Sequence, residues 1–205
     1  MELPSKDKNG SQYLSYSQIS TFLKSKEDYY NRYILGEKFE GNEYTDFGSK
    51  VGESLEIGIF NNFNETEKNV LSKVTRYDLF EQKTILNYDD FYVIGFIDSC
   101  TKDFSKIIDY KTGGIGKEKQ YYLEDYFQLQ VYALSLRQEY GITPSKATVE
   151  FITRGGNLYR GESLYVKDAN LISIDIDLSI NRLKSVYWFI ERVAKEISNY
   201  YNLVK

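Results

Sequence analysis

The chain has 205 residues and a formal net charge of −4, with 20 Tyr and 12 Phe but no His and a single Cys. Without histidine there can be no Ser-His-Asp triad, no Cys-His pair and no imidazole metal site, so acid–base work falls to carboxylates, Lys, Tyr or water. The lone Cys100 excludes an intrachain disulfide and a four-cysteine zinc or iron–sulfur site, and the acidic balance argues against broad non-specific nucleic-acid binding while leaving room for a local basic groove.

Residues 1–12 are polar and mixed in charge, with no apolar signal core, and read as a flexible segment ahead of a single domain over 13–205. No apolar stretch nears the roughly 18 residues that a membrane span needs, so a cytoplasmic protein is expected. The first helix opens at Leu14-Ser15-Tyr16-Ser17-Gln18, where Ser15 followed by Gln18 reads as a capping box. Ile19, Phe22, Leu23, Tyr30 and Tyr33 give it an apolar face as far as Gly36. Two further helices are expected over about 48–60 and 65–77.

Residues 80–86, 91–100 and 106–111 are β-rich and are separated by short polar gaps that suit hairpin turns, which predicts three consecutive antiparallel strands. A Gly-rich loop over 112–116 leads to a helix over about 123–140 with Phe127, Val131 and Leu134 on its buried stripe. A strand over 147–153, a turn at Gly155-Gly156-Asn157, strand-like pieces over 158–166 and 171–178, and a final helix over about 179–201 complete the chain. The order predicts an α/β fold with a central mixed sheet flanked by helices.

The sharpest constellation is Gly95-Phe96-Ile97-Asp98 followed by Ile107-Ile108-Asp109-Tyr110-Lys111. Two carboxylates on adjacent antiparallel strands can lie within metal-bridging distance, and Asp109 and Lys111 share a face because side chains alternate along a strand. Hard oxygen ligands with open water positions suit Mg²⁺, which can activate water and stabilise a phosphodiester transition state, with the ammonium beside it neutralising charge. The Lys111–Lys119 stretch lacks the Gly and the Ser or Thr of a phosphate-binding loop. It reads instead as a flexible basic loop whose Lys117 and Lys119 can meet DNA phosphates. Asp175 and Asp177 alternate with Ile174, Ile176 and Leu178, as on the wet face of a strand.

Gly-x-x-Asp, then Asp-Tyr-Lys-Thr-Gly, then Gln128-x-x-x-Tyr132 resembles the RecB-type, phage exonuclease-like branch of the PD-(D/E)xK nuclease superfamily. Leu14-Ser15-x-Ser17 resembles its N-terminal helix, Glu81 its upstream glutamate, and Gly48-Ser49-Lys50-Val51-Gly52 its Gly-x-x-x-His helix. The resemblance covers about 14–140 and implies a restriction-endonuclease-like core. It also implies a Mg²⁺-dependent deoxyribonuclease, with Mn²⁺ able to substitute, that works from DNA ends in recombination, repair or replication, with a recombination or replication protein as a possible partner. It implies Asp98, Asp109 and the Tyr110 carbonyl as metal ligands, Lys111 as catalytic lysine, Glu81 at the site, and Gln128 and Tyr132 beside it against DNA. Gly52 stands where the family has histidine; Glu56, one helical turn on, is the candidate to fill the shell. Ser25 stands near the first cysteine of cluster-bearing relatives, so no iron–sulfur cluster is expected. Two other readings stay open: a nuclease fold that binds DNA or protein without chemistry, and a structure- or site-specific endonuclease within a larger assembly.

Overall fold

The computed structural model describes every residue except Phe39, Glu124, Asp125 and Asn170. The first twelve residues are docked, not loose: Leu3 is buried in the core, the Gln12 side chain accepts from its N–H, and Lys6 bridges Gln12. A short strand, β1 (Tyr13–Ser15), then hands over directly to α1 (Tyr16–Lys24). The capping box forms as expected, Ser15 Oγ accepting from Gln18 N–H and Gln18 Oε1 from Ser15 N–H.

The expected helix to Gly36 is broken at Ser25, which is extended (φ −155°, ψ 111°) and caps a separate short helix, α2 (Lys26–Tyr29), continued by a π-helical turn over Tyr30–Ile34. The next helix, α3 (Glu43–Ile57), starts earlier than expected because Asn42 caps it, and it stops at Gly58, whose φ of 76° only glycine adopts readily. Helix α4 (Glu65–Leu71) is one turn and a half shorter than expected. Its Glu67 carboxylate serves twice, accepting from Asn64 N–H in the capping box and from Val166 N–H across the fold.

Among the described residues the sheet has seven strands and is mixed. Strands β2 (Leu79–Asn87), β3 (Tyr92–Cys100) and β4 (Lys106–Gly113) run antiparallel in turn, as the sequence predicts. Strand β5 (Lys146–Gly155) lies parallel to β4 and is buried over most of its length, which suits a central parallel strand covered on both faces. The pieces after it are shorter than expected: a 3₁₀ turn over Leu158–Arg160, then β6 (Tyr165–Val166) and β7 (Ile172–Asp175), both antiparallel to β5. Asp175 sits on the exposed edge, bonded to Thr148 and Lys146.

One edge of β3 is the key to the site. Strand β1 pairs with it only at Tyr92–Ile94 and β4 only at Ser99 and Cys100, so residues 95–98 have no strand beside them on that edge. Helix α5 (Gln128–Tyr140) lies over this gap. It begins later than expected, with Phe127 as its N-cap, and follows a 3₁₀ turn over Lys117–Tyr122; positions 124 and 125 of the expected helix lie outside the described residues. The last helix, α6 (Ile180–Val204), is capped by Ser179 and packs Leu183, Val186, Ile190, Val193 and Ile197 onto α1 and α5. No helix among the described residues is long and apolar enough to cross a membrane.

Candidate active site

Asp109 lies on β4 with its side chain fully buried. A carboxylate there needs partners, and one oxygen has two: Oδ2 accepts from the Tyr126 hydroxyl at 2.8 Å and pairs with Lys111 Nζ at 2.6 Å. The other oxygen, Oδ1, is buried and has no hydrogen-bond partner among the described residues. Asp98 stands at the break in both of its ladders. The β3–β4 pairs Ser99–Ile108 and Cys100–Ile107 would continue to Asp98 and Asp109, but the strands part there. The gap leaves the Tyr110 N–H free of a strand partner, and Asp98 Oδ2 accepts it at 2.6 Å.

The β2–β3 ladder skips the same place: Phe80 pairs Ser99 and Gln82 pairs Ile97, while Glu81 between them has φ 48°. A non-glycine residue in the left-handed region costs roughly 1–3 kcal/mol and is found where the surroundings demand it. Here it stands opposite Asp98. Burial and the charge of Asp109 lift the Asp98 carboxyl to about 7; Lys111 and the Tyr110 N–H pull the other way, and Glu81 adds to the rise. Burial and the neighbouring Glu56 in turn raise Glu81. Burial alone would lower Lys111, but Asp109 and Asp98 outweigh it and hold the ammonium above its ordinary range.

Two clefts meet at Lys111. One, of about 610 Å³, lies between α3 and the strands and is lined by Gly52, Glu53, Glu56, Glu81, Asp98 and Lys111 among others. The other, of about 690 Å³, lies between α1 and α5 and includes Tyr16, Ser17, Phe96, Tyr121, Gln128 and Tyr132. Among the described lining residues, the first is acidic apart from Lys111, and the second has no Asp or Glu.

Residues 58–170, more than half of the chain, match the family model of the PD-(D/E)XK nuclease superfamily. The chain belongs to that superfamily. Its fold is shared by a candidate exonuclease from Eubacterium rectale (TM-score 0.66, 14% identity, 93% of this chain and 82% of that one). SSO0001 gives a TM-score of 0.50 at 16% identity, over 96% of this chain and 78% of that one. A phage related exonuclease from Haemophilus somnus 129PT gives 0.48 at 16%, over 92% and 79%. No curated protein sequence matches the chain.

Seen as a PD-(D/E)XK site, the sequence-predicted residues fall into four groups. Asp98, Asp109, Tyr110 and Lys111 come together at the parting strands, with Glu81 opposite Asp98. Gln128 and Tyr132 lie over the gap, bonded to each other at 2.6 Å from Gln128 Nε2 to the Tyr132 hydroxyl. Gly95 is what admits them: a Cβ there would come within 2.4 Å of the Tyr132 ring. Glu56 lines the acidic cleft, but Glu81 is the glutamate whose charge acts on Asp98. Among the described residues no group of three or more acidic, His or Cys side chains forms a ready-made metal cage.

Lys117 and Lys119 are exposed, sit on a 3₁₀ turn instead of a flexible loop, and line neither cleft. Tyr126, which bonds Asp109, is a site residue that the sequence analysis does not single out. A buried aspartate obliges some neighbour to bond it, but nothing in the local sequence says that Tyr126 does.

Proposed function

We propose that this chain is a divalent-metal-dependent deoxyribonuclease that hydrolyses phosphodiester bonds from DNA ends. The observation that carries the reading is the buried, unpartnered Oδ1 of Asp109, 0% exposed beside an ammonium and a second carboxylate. An oxygen left without a donor in an apolar setting is costly, and a cation is the partner that suits it. The donor set fits: Asp98 and Asp109 supply hard oxygens. The Tyr110 carbonyl supports a third, because N–H and C=O of one strand residue face the same neighbour and the Tyr110 N–H already points to Asp98. An all-oxygen set favours Mg²⁺ or Mn²⁺ over softer metals, and superfamily members generally use divalent metals.

A bound divalent ion would supply Lewis-acid polarisation of the phosphate and activation of water. The chain's own residues do the rest. Tyr126 fixes the orientation of Asp109 by its hydroxyl, so that Oδ1 stays aimed at the site. Lys111 is an ammonium at any working pH, so it acts as a charge and hydrogen-bond donor for the phosphate and not as a general base. Gln128 and Tyr132, locked together, wall the cleft on the α5 side and place a strand against Lys111. Action from ends is supported by the name of the Eubacterium rectale neighbour.

The test is digestion of end-labelled linear DNA with Mg²⁺, Mn²⁺ or EDTA, alongside the circular form. Asp109→Ala and Lys111→Ala should each slow cleavage by at least ~100-fold, the scale of losing a key electrostatic group, with the fold retained. Near-wild-type cleavage by Asp109→Ala would refute the reading, and equal cutting of circular DNA would refute action from ends.

A further inference from the structure

The cleft between α1 and α5 does not end at the active site. Ser20 and Lys24, one turn apart on α1, line that cleft and also a third one of about 890 Å³ between α1 and α6. Lys111 joins the acidic cleft to the first of these two, so the three form one path along the surface. Among the described lining residues the charge along it is lopsided. Lys111 and Lys24 stand in the α1–α5 cleft, Lys24, Arg182 and Arg192 in the α1–α6 cleft, and no Asp or Glu is among the described residues that line either. This is in a chain with 30 acidic against 26 basic side chains. Arg192 stacks over the Phe189 ring at 5.2 Å, and its nearest carboxylate, Glu196, is 3.9 Å away and outside the lining.

The far cleft also holds Trp188, the chain's one tryptophan, 64% exposed and edge-on to Tyr187. A wet indole beside guanidinium groups is the pair of features that single-stranded nucleic acid uses: an aromatic face for a base and cations for the backbone. A duplex keeps its bases stacked inside and cannot offer one to Trp188.

Resting on the nuclease reading above, we propose that the α1–α6 cleft is a distal subsite for single-stranded DNA. The strand runs from Lys111 across Ser20 and Lys24, with a base on Trp188 and a phosphate against Arg192.

The sole tryptophan makes the test direct. The wild-type chain in EDTA, where no cleavage occurs, is titrated with oligothymidylates of about 4 and about 16 nucleotides, spanning the usual site sizes, and with a blunt duplex of the longer length. Anisotropy of labelled strands reports binding, and Trp188 emission of unlabelled ones reports occupancy of the far cleft. The longer single strand should bind and quench Trp188, while the short strand and the duplex should not quench it. A Trp188→Ala, Arg192→Ala double variant should weaken the longer strand about tenfold or more, as for loss of one stacked base. It should leave short-strand affinity and Mn²⁺-dependent hydrolysis of bis(p-nitrophenyl) phosphate unchanged. Failure of the longer strand to bind, unchanged Trp188 emission when it is bound, equal quenching by duplex, or equal weakening of both lengths would overturn the proposal. Binding and quenching by the strand without metal-dependent cleavage would instead overturn the nuclease reading and leave this one standing.

Discussion

Replacing Asp98 by Asn should make the metal-free protein more stable while abolishing its response to metal. In EDTA at pH 8 the wild type holds two facing carboxylates in a largely buried setting. Burial and Asp109 raise Asp98 from its ordinary 3.8 to about 7. The folded chain therefore binds that proton more tightly than the unfolded chain, so stability falls as pH rises between those values and the full cost is present above them. At about 1.4 kcal/mol for each pH unit the ceiling is about 4 kcal/mol, and partial exposure of Asp98 brings the expected gain to about 2–4 kcal/mol. Asn keeps an oxygen for the Tyr110 N–H and removes the repulsion. For a chain of this size the gain amounts to roughly 5–10 °C in Tm. Thermal denaturation followed by circular dichroism at pH 8, and then toward pH 4, measures it: the variant's advantage should shrink as pH falls. Excess Mg²⁺ or Mn²⁺ should raise the wild-type Tm, by about 2.7 kcal/mol of stability at one hundred times Kd, and leave the variant nearly unmoved. A variant less stable than wild type in EDTA at pH 8, or a gap independent of pH, would refute the account of Asp98.

Three further outcomes follow from the same geometry. Gly95→Ala should cost about 1–3 kcal/mol in denaturant unfolding, as overpacking does, because its Cβ meets Tyr132 at 2.4 Å; an unperturbed variant would mean that Tyr132 moves freely. Gly52→His should tighten Mn²⁺ binding in calorimetry, since a Cβ at Gly52 meets nothing within 4 Å and the position opens on the acidic cleft; unchanged affinity would show that α3 faces the metal from another angle. Glu81→Gln should alter metal affinity more than Glu56→Gln, because of the two it is Glu81 whose charge acts on Asp98; the reverse order in a metal titration would return Glu56 to the shell.

Much of this was legible in the chain because it is local. Alternation and turn residues mark β2 to β4, Ser15 with Gln18 marks the start of α1, and Asp109 and Lys111 share a face by strand period alone. What was not legible depends on pairing between distant segments. Nothing near Asp98 says that β1 and β4 take opposite ends of one β3 edge, yet that choice opens the gap, frees the Tyr110 N–H and calls for a glycine at 95. The break at Ser25 overrides an apolar periodicity that runs straight through it, since a serine side chain that caps the next helix competes well with continuation. The basic residues nearest the clefts escaped notice for the same reason: Lys24 and Arg192 are 168 positions apart and meet only after α6 packs on α1.

The apolar interior is divided, and the strands of the candidate site lie on the seam. One cluster, with Ile97, Ile107, Tyr126, Leu129, Tyr132 and Val149, holds α5 to the strands; another, with Phe47, Val51, Leu55, Val70, Leu71 and Ile152, holds α3 and α4 to the far part of β5. Packed clusters of this kind can open separately, each at its own free-energy cost. Asp98 follows Ile97 and Asp109 is bonded by Tyr126, both of the first cluster, whereas Gly52 and Glu56 adjoin Val51 and Leu55 of the second. Any ligand that bridges the acidic cleft ties the two clusters together and slows amide exchange in α3 as well as in the strands.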